Sequence, residues 1–151
     1  MKVKKYVCNN VEELCEIVKK IVDSLKEESK KKHPEVNSLE TMALSNLMIK
    51  FSCRNIDEFK AVFLKIADVN KGAALSLILR EMALILDRRY PDNIRQCEEV
   101  WVLSLLNGKL YKVHRKEIRG YEAFAAFRTL DDAKTACRSL KYILKDMFGG
   151  K

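Results

Sequence analysis

The sequence predicts an α+β fold, with four N-terminal helices packed with a small antiparallel sheet (a hairpin over 100–115 and a strand over 122–128) and a C-terminal helix. Three observations carry this. Residues that cap helices stand just before apolar runs of helical spacing at several places in the first 90 residues. Asn107-Gly108 separates two runs rich in β-formers. Thr129 opens the most regular amphipathic stretch of the chain.

The first helix is read from Asn10, which stands three residues before Glu13, so that a side-chain oxygen and a carboxylate satisfy the free amides of a first turn. Val11, Leu14, Cys15, Val18, Ile21, Val22 and Leu25 follow on one face, while Lys26–Lys32 has no apolar residue and reads as a solvated end. Pro34 is expected to stop this helix, and Asn37 with Glu40 to cap a second one containing Leu39, Met42, Ala43, Leu47, Met48 and Phe51. Asn55 with Glu58 starts a third, on Phe59, Val62, Phe63 and Ile66, and Asn70 caps a fourth running to about Arg89, before Pro91. Ala73–Leu86 is apolar on nearly every side, which places it at the centre of the core.

Beyond Pro91 the pattern changes. Val100–Leu106 and Lys109–Arg115 read as strands joined by a two-residue type I′ turn, with Ser104 opposite Tyr111, Val102 opposite Val113 and Trp101 opposite His114. Both faces of the first strand are then apolar, and Trp101 is read as a core residue. Glu122–Arg128 is a third strand, and Thr129 with Asp132 caps the last helix, whose stripe is Leu130, Ala133, Ala136, Cys137, Leu140, Ile143, Leu144 and Met147. Val3–Cys8 is read as a short additional edge strand.

The 151 residues carry 48% hydrophobic side chains, which suits one folded domain over 1–151, with a helical part (10–90) and a strand-strand-strand-helix part (98–148), and excludes a disordered or collagenous chain. Five dispersed cysteines, an odd number, argue for a reducing compartment, and the protein is read as cytoplasmic. The N-terminal segment has no apolar signal-peptide core, and Ser76, Arg80 and Glu81 interrupt the most apolar stretch, so neither export nor a membrane span is expected. His33 and His114 are far apart, no cysteine has zinc-ligand spacing, and the five glycines assemble no phosphate loop. No metal, no cofactor and no catalytic residue is therefore expected.

The net charge is +8, and residues 98–151 hold half of the excess, with 11 basic and 7 acidic side chains. Such a balance favours anionic partners through long-range attraction. Within it, Lys109, Lys112, Arg115, Lys116 and Arg119 face a single acid, Glu117, with Tyr111 and His114 interleaved. Lys109, Lys112, His114, Arg115, Lys116 and Arg119 are the candidate nucleic-acid-binding residues, since cations displace the counterions of phosphates and a ring can stack on an unpaired base. Strand alternation divides this cluster between two faces, and its bland counterpart is a charged sheet edge that discourages aggregation.

Residues 100–144 resemble in outline the three-strand-plus-helix DNA-binding modules of a plant transcription-factor family and some phage integrases, through Asn107-Gly108-Lys109, Phe127-x-Thr129 and the pair Ala133 and Ala136. The resemblance implies an open sheet face entering the major groove. The Arg- and Gly-rich first strand of those modules is replaced here by Val100–Leu106, which is apolar on both sides and so expects cover on both. The functional expectation is a non-catalytic intracellular binding protein whose basic hairpin and following loop touch nucleic acid non-specifically. The alternative is a protein-interaction or assembly subunit, as of a virus or mobile element, with another polypeptide or a second copy as partner.

Overall fold

A computed structural model describes residues 13, 16–20, 34–92, 94–104, 109–120 and 124–149. The expected strand Val3–Cys8, the Asn10 cap and the Asn107-Gly108 turn lie outside the described residues. Helix α1 is seen at 13 and 16–20, followed by α2 (Pro34–Lys50), α3 (Ile56–Val69) and α4 (Lys71–Asp87). A 3-10 turn (Ile94–Gln96) leads to β1 (Glu99–Ser104) and β2 (Lys109–His114), and a second (Arg115–Gly120) to β3 (Phe124–Phe127). Helix α5 (Leu130–Leu144) closes the fold and ends in a π-helical turn, Lys145–Gly149. The α+β class is as expected.

Three caps do what their residue types dictate. Asn55 Oδ1 accepts the Glu58 N–H at 3.0 Å, and Glu58 Oε1 in turn accepts the Arg54 N–H at 2.7 Å. Asn70 serves two helices: its N–H donates to the Ile66 carbonyl at the end of α3, and its Oδ1 accepts the Ala73 N–H in the first turn of α4. Thr129 Oγ1 accepts the Asp132 N–H and starts α5. The second helix departs from expectation, because it begins at Pro34 and places Asn37 inside it. Proline belongs in a first helical turn, where the N–H it lacks has no partner anyway.

The α2–α3 corner is closed by a device that no glycine announces. Ser52 sits at φ 54, while the Cys53 N–H reaches the Met48 carbonyl at 2.8 Å and the Ser52 N–H that of Ile49 at 3.1 Å. This pair of bonds is the Schellman arrangement, which favours glycine at the left-handed position.

The main core joins Phe59, Phe63 and Ala67 of α3, the Ala74, Leu75, Ile78, Leu79, Met82 and Leu86 face of α4, Leu39, Ala43 and Leu47 of α2, and the stripe of α5. Phe51, Phe59, Phe63 and Phe148 form a row with neighbouring ring centroids 6.0–6.4 Å apart, which ties the end of α5 to α3. Helix α4 is central, as its composition predicts, but Ala73 and Leu84 are exposed and one of its sides faces a cleft.

The sheet has the order β2-β1-β3, antiparallel throughout. Its register is a correction: Ser104 pairs with Lys109, Val102 with Tyr111 and Trp101 with Lys112. The displacement from the expected pairing is two residues. A shift of two leaves every side chain on its expected face, so the apolar pattern sets the parity of the register and nothing finer.

Both faces of β1 are covered. Leu103, Ala125 and Phe127 join the main core, whereas Val100, Val102 and Val113 build a second, smaller core with Ile94, Cys97, Tyr111, Ile118 and Ala126. The two 3-10 turns thus seal the face that the DNA-binding outline would need open. Trp101, expected in the core, is half-buried and belongs to neither cluster. An indole is large enough that full burial is uncommon.

The connector that delivers Ile94 and Cys97 is tied to α5. Tyr90 Oη donates to Asp132 Oδ2 at 2.9 Å, and the Arg128 guanidinium lies 4.2 Å from the Tyr90 ring centroid. Arg128 Nη1 also donates to the Asp92 carbonyl at 2.6 Å and to its carboxylate at 3.2 Å. Burial, followed by the neighbouring Asp132, raises the Tyr90 hydroxyl above its ordinary pKa.

Two substitutions with opposite signs test this account. Asn70→Ala removes one cap oxygen and is expected to lower stability by about 1 kcal/mol, a fall of about 2–4 °C in Tm. Ser52→Gly relieves a left-handed residue and should raise stability by about 0.5–1 kcal/mol. Urea unfolding with an unchanged m value measures both.

Candidate nucleic-acid interface

Among the described residues strand β2 is an outer strand, and its cations lie along that edge of the sheet. Lys109 is exposed at its start, on the face of the smaller core. Lys112 is 55% exposed and lies with half-buried His114 on the other face. Arg115 and Lys116 are exposed and begin the second 3-10 turn, which also carries Arg119; the Arg119 side chain lies outside the description. From Lys109 to Arg115 the strand covers about 20 Å. The cluster is therefore a rim along one edge with its members on both sides, as strand alternation dictates, and not a compact patch.

Acids accompany this rim. Glu99 stands opposite His114 across the ladder, and its carboxylate is 3.9 Å from Lys112 Nζ. The Arg115 N–H donates to the Glu98 carbonyl at 2.8 Å, which brings exposed Glu98 alongside, and Glu117 is exposed in the turn itself. His114 Nδ1 accepts the Lys116 N–H at 3.1 Å, which assigns the ring proton to Nε2 while the ring is neutral. Linear spacing reveals Glu117 but conceals Glu98 and Glu99, which reach the rim only through the ladder.

A second polar constellation lies in the helical half, in a cleft of about 360 Å³ between α2 and α4 lined by Leu47, Lys50, Asn70, Ala73, Ser76, Leu77, Arg80, Glu81 and Leu84. Glu81 is only 4% exposed. Asn46 Nδ2 donates to its Oε2 at 3.1 Å, and Lys50 forms a short charge-assisted bond to its Oε1. A buried carboxylate demands such partners, because desolvation without them is costly. Ser76 is equally buried, and its Oγ has no hydrogen-bond partner among the described residues. These residues are the ones that interrupt the most apolar stretch of the sequence. Their spacing, with Ser76, Arg80 and Glu81 on one side of a helix otherwise apolar all round, was the available signal.

The remaining chemistry is sparse. Among the described residues no group of three His, Cys, Asp or Glu side chains could hold a metal ion, and no helix is long and apolar enough to cross a membrane. Cys53, Cys97 and Cys137 are free thiols. Complete burial pushes the Cys137 thiol up to about 12, with Arg138 opposing weakly, so at neutral pH it is an inert apolar group. Comparison with family models, curated proteins and solved structures returned no match.

The shifted thiol has a consequence for stability at high pH. Below its ordinary value of 9.0, Cys137 is protonated whether the chain is folded or unfolded, and its contribution is fully present. Above that value the unfolded chain loses the proton and the folded chain keeps it, so stability falls up to a pH of about 12. Chemical unfolding across this range should show wild type losing about 1.4 kcal/mol per pH unit relative to Cys137→Ala.

Proposed function

We propose that the protein is a non-catalytic intracellular binding protein that contacts nucleic acid non-specifically through the edge of β2 and the turn that follows it. The observation that carries this reading is the position of Lys112, Arg115 and Lys116, which are exposed on the outer strand of the described sheet and its continuation in a protein of net charge +8. Such an edge presents cations to a phosphate backbone without reading bases, which requires no open sheet face. The covered faces of β1 are consistent with backbone contact and not with groove entry by the sheet. Free, dispersed cysteines accord with a reducing compartment.

Fluorescence anisotropy with single- and double-stranded oligonucleotides tests it. Lys109, Lys112, Arg115 and Lys116 acting together would produce a log–log salt slope of roughly −3 to −4 between about 50 and 200 mM salt. The combined reversal of Lys112, Arg115 and Lys116 to Glu should abolish binding. Equal binding by the wild-type and reversed proteins, or no binding by either, overturns the reading.

A second reading, a protein-interaction or assembly subunit, is favoured by one observation: Met42 and Ile49 stand two turns apart on α2, 47% and 75% exposed. Exposed apolar residues along one helix are what a partner polypeptide or second copy covers. Concentration-dependent light scattering, diminished by Ile49→Asp, supports this reading, and a monomer at every concentration that also retains no partner counts against it.

A further inference from the structure

We propose that the cleft between α2 and α4 is a binding site for a small amphiphilic carboxylate, an organic acid with an apolar body. The inference is independent of the nucleic-acid reading and concerns a different half of the molecule.

The first argument is the hydroxyl of Ser76. The side chain is 4% exposed, it forms part of the wall of the cleft, and its Oγ has no hydrogen-bond partner among the described residues. A buried hydroxyl without a partner destabilises the protein that carries it, and alanine would fit a helix interior better. A polar group retained at that cost, beside a cavity, is poised for a partner that arrives from outside. One χ1 rotation between staggered wells is enough to change the direction in which a serine hydroxyl donates.

The second argument is the balance of donors and acceptors. The one carboxylate in the wall, Glu81, is already engaged at both oxygens by Asn46 and Lys50. What the wall still offers is largely donors. Lys50 is 54% exposed and carries three N–H groups, of which Glu81 takes one. Asn70 spends its oxygen on the cap of α4, and its amide nitrogen remains a donor. Ser76 adds its O–H. Lys50 and Arg80 stand in the wall with Glu81. A group that only accepts and bears negative charge complements this set, and a carboxylate does both.

The third argument is the apolar remainder. Leu47, Ala73, Leu77 and Leu84 complete the lining, and Ala73 to Leu84 covers about 16 Å along the axis of α4. A cavity of about 360 Å³ falls in the range occupied by small organic ligands. The acid head would lie at Ser76 and Lys50, with the body along Leu77 and Leu84.

The test uses the full chain and decanoate, with decanol as the neutral probe of equal length. Binding is followed by amide chemical shifts in heteronuclear NMR and by calorimetry. Decanoate is expected to bind saturably and to shift the amides of Ala73, Ser76, Leu77 and Arg80, with decanol at least 10-fold weaker. Ser76→Ala should weaken decanoate roughly 10- to 100-fold while raising the Tm of the free protein by a few degrees, since it removes the unpartnered hydroxyl and the ligand's donor together. Exposed Ala73 allows a blocking variant that leaves the core alone, and Ala73→Trp should abolish binding with the fold retained. Equal affinity for decanol, unchanged affinity in Ser76→Ala, or shifts confined to residues outside the cleft would each overturn the proposal. So would the absence of binding by every n-alkanoate from hexanoate to dodecanoate.

Discussion

The structure is organised by the need to dry both faces of one strand. Val100 and Val102 point to one side of β1 and Leu103 to the other, and all three are fully buried. At about 25 cal/mol per Å² of apolar area, leaving either side wet forfeits several kcal/mol. Helices α4 and α5 cover one face, and the two irregular turns cover the other. The Arg128, Asp92, Tyr90 and Asp132 contacts then become comprehensible: they hold the connector after α4 where Ile94 and Cys97 can close the smaller core. Desolvation of a strand dictates the path of a loop.

That constraint decides where function can reside. With both broad faces of the sheet spent on packing, contact with an external partner is left to the edge of β2, to the outer sides of helices and to the cleft beside α4. The edge carries cations, but the ladder that exposes Lys112 also delivers Glu99 next to it. Its positive charge is consequently dispersed and partly offset. The cleft is the opposite case, a concentrated group of polar atoms set into apolar surroundings, with one buried hydroxyl that has no partner among the described residues. Local density of unsatisfied chemistry, more than net charge, distinguishes the two places.

Much of the fold was legible where a residue type has one dominant physical use. Asn55, Asn70 and Thr129 sit before apolar periodicity because their short oxygens reach free amides, and each caps a helix as read. Alternation assigned the faces of β1 and β2, and with them the splitting of the basic cluster. Less was legible where residue types have two uses or none. Pro34 can end one helix or begin another, and its place at the start of α2 is not told by residue type alone. Ser52 occupies a backbone region that glycine usually marks. The turns over Ile94–Gln96 and Arg115–Gly120 have no periodicity to display, yet they cover a sheet face. Of the candidate site, the exposed cations could be seen in sequence and their acidic neighbours could not, since those meet only across strands. Glu81 was visible as an interruption in an apolar helix, whereas its clasp by Asn46 and Lys50 depends on the approach of α2.

As the chain leaves the ribosome, β1 is complete before half of its cover exists: α4 and the Ile94–Gln96 turn precede it, whereas α5 and the Arg115–Gly120 turn follow. β2 follows at once, but β3 pairs with β1 at sequence separations of 20 to 26, Ser104 with Phe124 and Trp101 with Phe127, and α5 comes later still. At translation rates of about 5–20 residues per second, a hydrophobic strand with one vacant hydrogen-bonding edge stays open for about a second or more. Placing the central strand first among the three thus makes the newborn polypeptide a natural client for holding chaperones, and it makes any message truncated before Phe124 a source of aggregating product.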